Sequence, residues 1–98
     1  MLEQMIAQDP DNTFARYGLA MEYANAGELT RAVSEFESLL ARDENYPAAY
    51  YHSGHALEKL GRLDEARDIY RKGIEISTRK GDLHTRSEIE GALNLLPI

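Results

Sequence analysis

The 98-residue sequence predicts an all-α fold of stacked antiparallel helix pairs, and two observations support this prediction. Residues 27–32 (GELTRA) recur as residues 61–66 (GRLDEA), at an offset of 34 positions. Apolar residues around both stretches recur at spacings of three and four, which is the pattern of amphipathic helices. A fixed period of this length indicates supersecondary units that repeat along the chain and stack on one another.

Residues 1–8 are predicted to form the second helix of an incomplete repeat. Leu2, Met5 and Ile6 have helical spacing, and each lies 34 positions before an apolar residue of a later segment. Residues 9–12 then break the chain, because proline cannot continue a helix and Asp or Asn can cap the next one through a side-chain oxygen. The period therefore extends back to the start of the sequence.

Two full repeats are predicted at residues 13–46 and 47–80, each with two helices. Gly27 and Gly61 mark the turns inside them, since a residue without Cβ suits a left-handed turn. Pro47 suits the first turn of its helix. Small residues are expected where paired helices approach closely, at Ala20, Ala32, Gly54 and Ala66.

Residues 82–96 are predicted to form a C-terminal capping helix after a polar break at residues 79–82. This helix does not follow the 34-residue period, and the ends of a solenoid need a cap because they otherwise expose an apolar face. Gly73 is expected to leave room for it. Its apolar stripe consists of Ile89, Ala92, Leu93 and Leu96.

The repeated residues resemble the tetratricopeptide repeat (TPR) motif over about residues 2–78. In the first unit the resemblance rests on Leu19, Ala20, Tyr23, Gly27, Ala32 and Phe36. In the second it rests on Tyr50, Gly54, Leu57, Gly61, Ala66 and Tyr70. The chain departs from the motif at Arg16, where the family prefers an aromatic, and at Glu44 and Thr78, which replace its proline.

This resemblance implies a TPR-like α-α superhelix of about six helices, forming one domain over residues 1–98. The chain also resembles small, free-standing bacterial TPR proteins, and membership of that group implies no activity of its own. The expected function is a non-enzymatic module that binds a protein or peptide. The alternative is a self-assembling structural protein, a homo-oligomer formed through the groove or the solenoid end.

The composition limits the classes of partner and the cellular location that we expect. With 17 acidic and 11 basic side chains the net charge is −6, which argues against nucleic acid, because that binding depends on neutralising phosphates. The sequence has no cysteine, no basic leader pattern and no apolar run of membrane length, so we expect no disulfide, no membrane partner and a cytoplasmic location. Nine acids and three bases fall in residues 1–46, and we expect this excess to form a solvated acidic face. The alternative is a head-to-tail attraction to the basic cluster of a second copy, which consists of Arg71, Lys72, Arg79 and Lys80.

Catalytic, metal and cofactor sites are not predicted. The serines lack a glycine-flanked elbow and an identifiable base, so we expect that the protein is not an enzyme. His52, His55 and Glu58 have spacings that could share a helix face, but no fourth ligand is identifiable. The preferred interpretation is that these side chains lie on an exposed polar face.

The candidate binding site is a concave groove, which in TPR superhelices is lined by the first helix of each repeat. The residues that match those positions, or adjoin them, are Phe14, Tyr17, Met21, Asn25, Tyr46, Tyr51, His55, Glu58 and Lys59. Asn25, Glu58 and Lys59 are expected to form its polar rim. The two-carboxylate clamp of chaperone-binding TPR domains is absent, because Tyr17 and Met21 stand where it needs Lys and Asn. The alternative is that residues 2–8 or the final helix cover these side chains.

Overall fold

The computed structural model describes residues 1–97, which fold into six α-helices. They are α1 (Leu2–Gln8), α2 (Thr13–Asn25), α3 (Leu29–Arg42), α4 (Pro47–Lys59), α5 (Leu63–Lys80) and α6 (Leu83–Leu95). This part of the chain contains no strand, so the predicted all-α fold of about six helices is confirmed. None of these helices combines the length and apolar character that crossing a bilayer requires.

The helices form two layers. Each helix packs against the next one along the chain, and α2 and α6 each also contact α4. Within residues 1–97, by contrast, the backbones of α1, α3 and α5 do not approach one another closely. Helices that touch in one layer and are separated in the other produce a curved stack. Its concave side is the layer of α2, α4 and α6.

Three turns share one backbone geometry. Gly27, Gly61 and Gly81 adopt φ values of 80°, 76° and 71°, in the left-handed region that glycine enters without steric cost. In each turn the N–H of the following residue donates to the carbonyl five positions back, at 2.9 Å. This Schellman arrangement satisfies carbonyls that the preceding helix would otherwise leave unpaired. It occurs inside both repeats and again between α5 and α6.

The breaks before α2 and α4 have a second geometry, which they share. Asp9 ends α1 with φ −141° and ψ 90°, and Asp43 ends α3 with φ −145° and ψ 92°. In both, the aspartate N–H donates to the carbonyl four residues back. At the start of α2, Oδ1 of Asn12 accepts a hydrogen bond from the N–H of Ala15 at 3.0 Å. α1 therefore ends as the second helix of a repeat does.

The predicted break at residues 79–82 is wrong in its first half. α5 continues through Arg79 and Lys80 and ends at Gly81. Both basic residues are good helix formers and interact favourably with the dipole of a last turn, so nothing stops the helix before the glycine. Asp82 then caps α6 by accepting from the N–H of Thr85 at 3.1 Å. α6 ends at Leu95, one residue earlier than predicted.

Glycines allow two close contacts in the core. A Cβ on Gly54 would lie 2.1 Å from a ring carbon of Tyr70, so α4 and α5 could not approach as they do with a larger residue. A Cβ on Gly73 would lie 2.6 Å from Cβ of Tyr50 and 2.9 Å from Cδ1 of Ile89. The expectation that Gly73 leaves room for the final helix is therefore confirmed.

Arg16 shows how the fold accommodates its departure from the motif. Its guanidinium is buried and donates to the carbonyl of Pro10 at 3.0 Å, while also pairing with Glu35 at 3.3 Å. One repeat later, the hydroxyl of Tyr50 donates to the carbonyl of Glu44 at 2.8 Å. Both donors and both acceptors are separated by 34 residues. The two side chains therefore make the same contact with the preceding loop.

Candidate functional site

A cavity of about 280 Å³ lies between α2 and α4 on the concave side of the stack. Because these helices share one register, Met21 and His55 are equivalent residues, as are Asn25 and Lys59, and each pair faces the same space. α2 contributes Met21, Ala24 and Asn25. α4 contributes Tyr51, His52, His55, Ala56 and Lys59.

Five of the nine candidate residues line this cavity. They are Met21, Asn25, Tyr51, His55 and Lys59. The described residues that line it all belong to α2 or α4, so neither α1 nor α6 fills it. α1 covers a different edge of α2, where a Cβ on Gly18 would lie 3.2 Å from the side chain of Leu2.

Tyr17 and Tyr46 form an aromatic wall beside the cavity. Their ring centroids are 5.1 Å apart, and Tyr17 also lies 6.3 Å from Phe36 and 6.0 Å from His52. Burial raises the pKa of both tyrosines above the usual value, with a further increase in Tyr17 from Tyr46 and in Tyr46 from Asp43. The hydroxyls therefore stay neutral and can both donate and accept hydrogen bonds.

Phe14 stands apart from the other aromatic candidates. It is 72% exposed and does not line the cavity. It lies in the first turn of α2, whereas the cavity is lined from the last turns of α2. The structure therefore places this ring outside the cavity.

Glu58 does not line the cavity with Asn25 and Lys59. Its carboxylate accepts a hydrogen bond from the hydroxyl of Tyr70 on α5. Adjacent helical residues point about 100° apart, so Glu58 faces α5 while Lys59 faces the cavity. The hydroxyl needs a partner because Tyr70 is fully buried. Burial, followed by the hydrogen bond to Glu58, raises the pKa of Tyr70 well above its usual range.

His52 lines the cavity, although the sequence prediction placed it on an exposed polar face. The residue is half-buried, and its ring centroid lies 5.2 Å from that of Tyr51. Burial and the neighbouring His55 lower its pKa, and Glu88 on α6 opposes part of this effect. The missed signal is the spacing of His52, His55 and Lys59, at i, i+3 and i+7, which places all three on one helix face.

His55 lies between the cavity and the core. Its ring centroid is 4.6 Å from that of Tyr51 and 6.2 Å from that of Tyr70. Its Nε2 is buried and has no hydrogen-bond partner among residues 1–97. No three His, Cys, Asp or Glu side chains in that range gather as metal ligands. The site therefore offers aromatic rings, a thioether and polar donors to a ligand.

Comparisons with known proteins agree with this geometry. A family model described as Tetratricopeptide repeat matches residues 17–79. A TPR repeat-containing protein of Pseudomonas aeruginosa is 31% identical over 88 residues, which are 90% of this chain and 84% of that protein. The solution structure of a tetratricopeptide repeat domain protein from Salinibacter ruber has a TM-score of 0.80 and 39% identity, covering 87% of this chain and 86% of its own. A Bordetella parapertussis protein superposes with a TM-score of 0.82 at 28% identity, over 95% of this chain and 81% of its own.

Proposed function

Because this chain belongs to the tetratricopeptide repeat family, we propose that it is a non-enzymatic module that binds a protein or peptide segment in the groove between α2 and α4. TPR folds commonly mediate protein–protein interactions and are generally not enzymes. The observation that carries the proposal is the cavity of about 280 Å³ lined by equivalent residues of two neighbouring inner helices.

The residues that line the cavity suit a peptide. Tyr51 presents a large contact surface at a low cost in side-chain entropy, and Met21 adds a flexible apolar side chain that adapts to its partner. Asn25 and Lys59 add polar groups at the edge, where hydrogen bonds and charge can fix the orientation of a bound segment. Tyr17 and Tyr46 extend the aromatic surface beyond the cavity.

The same proposal excludes other partner classes. We expect no binding to nucleic acid at physiological salt, because the net charge of −6 opposes contact with phosphates. We expect no catalysis, no cofactor and no membrane partner. The absence of cysteine from the sequence suits a reducing compartment such as the cytoplasm.

A peptide selection followed by substitution tests the groove. Twelve-residue random peptides displayed on phage are selected on the wild-type protein, and synthetic versions are titrated against the labelled protein by NMR. The largest amide shifts should fall on α2 and α4, around Met21 and Tyr51. Tyr51→Ala should weaken binding by about 30-fold, because a contact anchor contributes about 2 kcal/mol.

Tyr23→Ala is the matched control. Tyr23 is also a half-buried tyrosine, but it packs toward α3, where the guanidinium of Arg31 lies 5.7 Å from the ring centroid. This substitution should leave peptide affinity within about twofold, since the ring does not line the cavity. Peptides whose shifts fall on α3 and α5, or equal losses in both variants, would contradict the groove as the binding site.

Self-assembly is the second candidate, and exposed apolar side chains favour it. Phe14, in the first turn of α2, is 72% exposed, and Leu95, the last residue of α6, is 86% exposed. Exposed apolar groups at both ends could bring copies together. Light scattering should then show a mass that rises with concentration and falls in a Leu95→Ser variant. A constant monomer mass up to about millimolar concentration would exclude this candidate.

A further inference from the structure

The cavity between α2 and α4 differs in charge from the rest of the molecule. Lys59 carries the only formal charge among the described residues that line it, and no carboxylate lines it. The whole chain, by contrast, has 17 acidic and 11 basic side chains. A cationic cavity in an acidic protein favours an anionic group on the ligand over a cationic one.

Lys59 is free to pair with a ligand. Among residues 1–97, no carboxylate lies within ion-pair distance of its ammonium group. The neighbouring Glu58 is occupied by the hydroxyl of Tyr70. Asn25, the equivalent residue of α2, adds an amide that can donate a hydrogen bond to the same group.

The helix ends beside the cavity oppose an anion only weakly. Carbonyls at a helix C-terminus carry partial negative charge, and both α2 and α4 end here. The turns at Gly27 and Gly61, however, use several of these carbonyls: Tyr23 and Ala24 at the first, and Leu57 at the second, accept hydrogen bonds from turn N–H groups. The full charge on Lys59 therefore dominates the cavity.

We propose that the bound segment presents a single Asp or Glu side chain to Lys59, beside an apolar side chain that packs on Met21 and Tyr51. This inference rests on the proposed function of the groove. One carboxylate fits better than an acidic run, because the net charge of −6 repels a strongly acidic peptide. A side chain fits better than a chain end, because the aromatic surface continues past the cavity through Tyr17 and Tyr46.

The experiment uses the phage-selected peptides, synthesised with acetylated N-termini and amidated C-termini. Groove-binding peptides should share one Asp or Glu next to an apolar residue. Replacing that residue by Asn or Gln should weaken binding by about two- to fivefold, which lies in the range of an exposed ion pair. Lys59→Gln should weaken the acidic peptide equally and should not weaken its amide version further. Lys59→Glu should bind a version with lysine at that position better than the original.

Lys72→Gln is the control, because it changes the net charge by the same amount on the outer helix α5, where Lys72 pairs with Glu75 at 3.6 Å. It should leave all affinities unchanged, whereas an equal loss would show a long-range charge effect and overturn the inference. Groove-binding peptides without a carboxylate, or peptides that bind only with a free C-terminus, would overturn the inference and leave the proposed function standing. Peptides that bind elsewhere would overturn both.

Discussion

The two repeats, residues 13–46 and 47–80, have nearly the same backbone but different side chains in their cores. Their first helices, α2 and α4, each have 13 residues, and their internal turns have φ values of 80° and 76°. Phe36 and Tyr70 occupy equivalent positions and are both fully buried. Around them, however, the first repeat has Ala20 and Ala24 where the second has Gly54 and Glu58.

These differences are coupled. The hydroxyl that distinguishes Tyr70 from Phe36 must have a partner in the core, and Glu58 supplies it. In this position the ring lies against the backbone of Gly54, where a Cβ would be 2.1 Å away. The first repeat needs no such partner, so it can use alanine in place of both the glycine and the glutamate. In this chain these three positions therefore differ between the repeats as a linked set.

The loop contact differs in the same way. Arg16 and Tyr50 bond equivalent carbonyls, but the arginine brings a charge into a buried site and needs Glu35, 3.3 Å away. The second repeat has Ile69 at the position of Glu35 and needs no counter-ion. The first repeat thus hydrogen-bonds the carbonyl of its preceding loop with an ion-paired arginine, whereas the second repeat uses the neutral hydroxyl of a tyrosine.

The largest effect on stability is expected when the contact between Tyr50 and the loop before the second repeat is removed. Tyr50→Ala should lower the free energy of unfolding by about 3–5 kcal/mol, because it removes a large side chain that is 3% exposed and a hydrogen bond. Tyr51→Ala, at the adjacent half-buried residue, should cost less than half as much. Urea denaturation followed by circular dichroism measures both. A larger loss in Tyr51→Ala would reverse the assignment of the two faces of α4.

Gly54→Ala tests the coupling around Tyr70. It should destabilise by about 1–3 kcal/mol through overpacking, even though alanine gains about 1 kcal/mol in helix propensity. The double variant Gly54→Ala/Tyr70→Phe copies the pair of the first repeat and should lose less than the sum of the single variants, because a ring released from Glu58 can move. Strictly additive losses in this double-mutant cycle would show that the positions are independent.

The ion pair of the first repeat can be replaced by the residues of the second. Arg16→Ala should cost about 1–3 kcal/mol, since it leaves the Pro10 carbonyl and Glu35 without their donor. Arg16→Tyr/Glu35→Ile should lie within about 1 kcal/mol of the wild type, because apolar replacement of a buried ion pair is often neutral or stabilising. Urea denaturation of both variants provides the measurement. A double variant less stable than Arg16→Ala would show that the repeats are not interchangeable here.

The smallest effect concerns pH and is confined to the second repeat, where His52 replaces Gly18. The folded protein lowers the pKa of His52 below 6.5, mainly through burial and His55, while Glu88 opposes the shift. Protonation therefore favours the unfolded chain. The stability that neutral His52 provides is complete above pH 6.5 and decreases as the pH falls below it.

His52→Gln should remove this part of the acid sensitivity. The wild type should lose more stability than the variant between pH 7 and 5, and the difference should be below about 1.4 kcal/mol for each unit of pKa shift. Tyr17, whose ring centroid lies 6.0 Å from that of His52, remains neutral in this range, because burial raises its pKa above the usual value. An NMR titration midpoint for His52 above 6.5 would contradict the expected direction.

The sequence predicted the helices well because the repeat supplies the same information twice. Gly27 and Gly61 identified one another as turns, and Asp9 and Asp43 identified equivalent helix ends. The extension of α5 through Lys80 was missed because Ser77, at the position of Asp9 and Asp43, does not end its helix as those two residues do. Prediction was therefore most reliable where two positions constrain each other.

The groove was harder to predict because its lining depends on side-chain partners in other helices. Glu58 and Lys59 are neighbours and both polar, yet the hydroxyl of Tyr70 on α5 directs the first away from the cavity. His52 lines the cavity because it packs against rings from α2 and α4, including Tyr17 and Tyr51. Helical spacing places a residue on a face, but such partners decide where its polar atoms point.

The junction at Gly81 also affects how the array can be lengthened. α6 follows α4 by 36 residues, with Leu83 at the position of Pro47 and Leu95 at that of Lys59, because α5 is longer and its closing turn shorter than those of the first repeat. A 34-residue repeat added after residue 80 would follow the left-handed turn at Gly81, whereas the second repeat follows the extended break at Asp43. A second copy of residues 47–80 could instead be inserted between residues 46 and 47. The last helix of that copy would then have to end as α3 ends at Asp43, rather than continue to a glycine as α5 does. The natural site for engineering is thus inside the array, with α6 kept as its terminal piece.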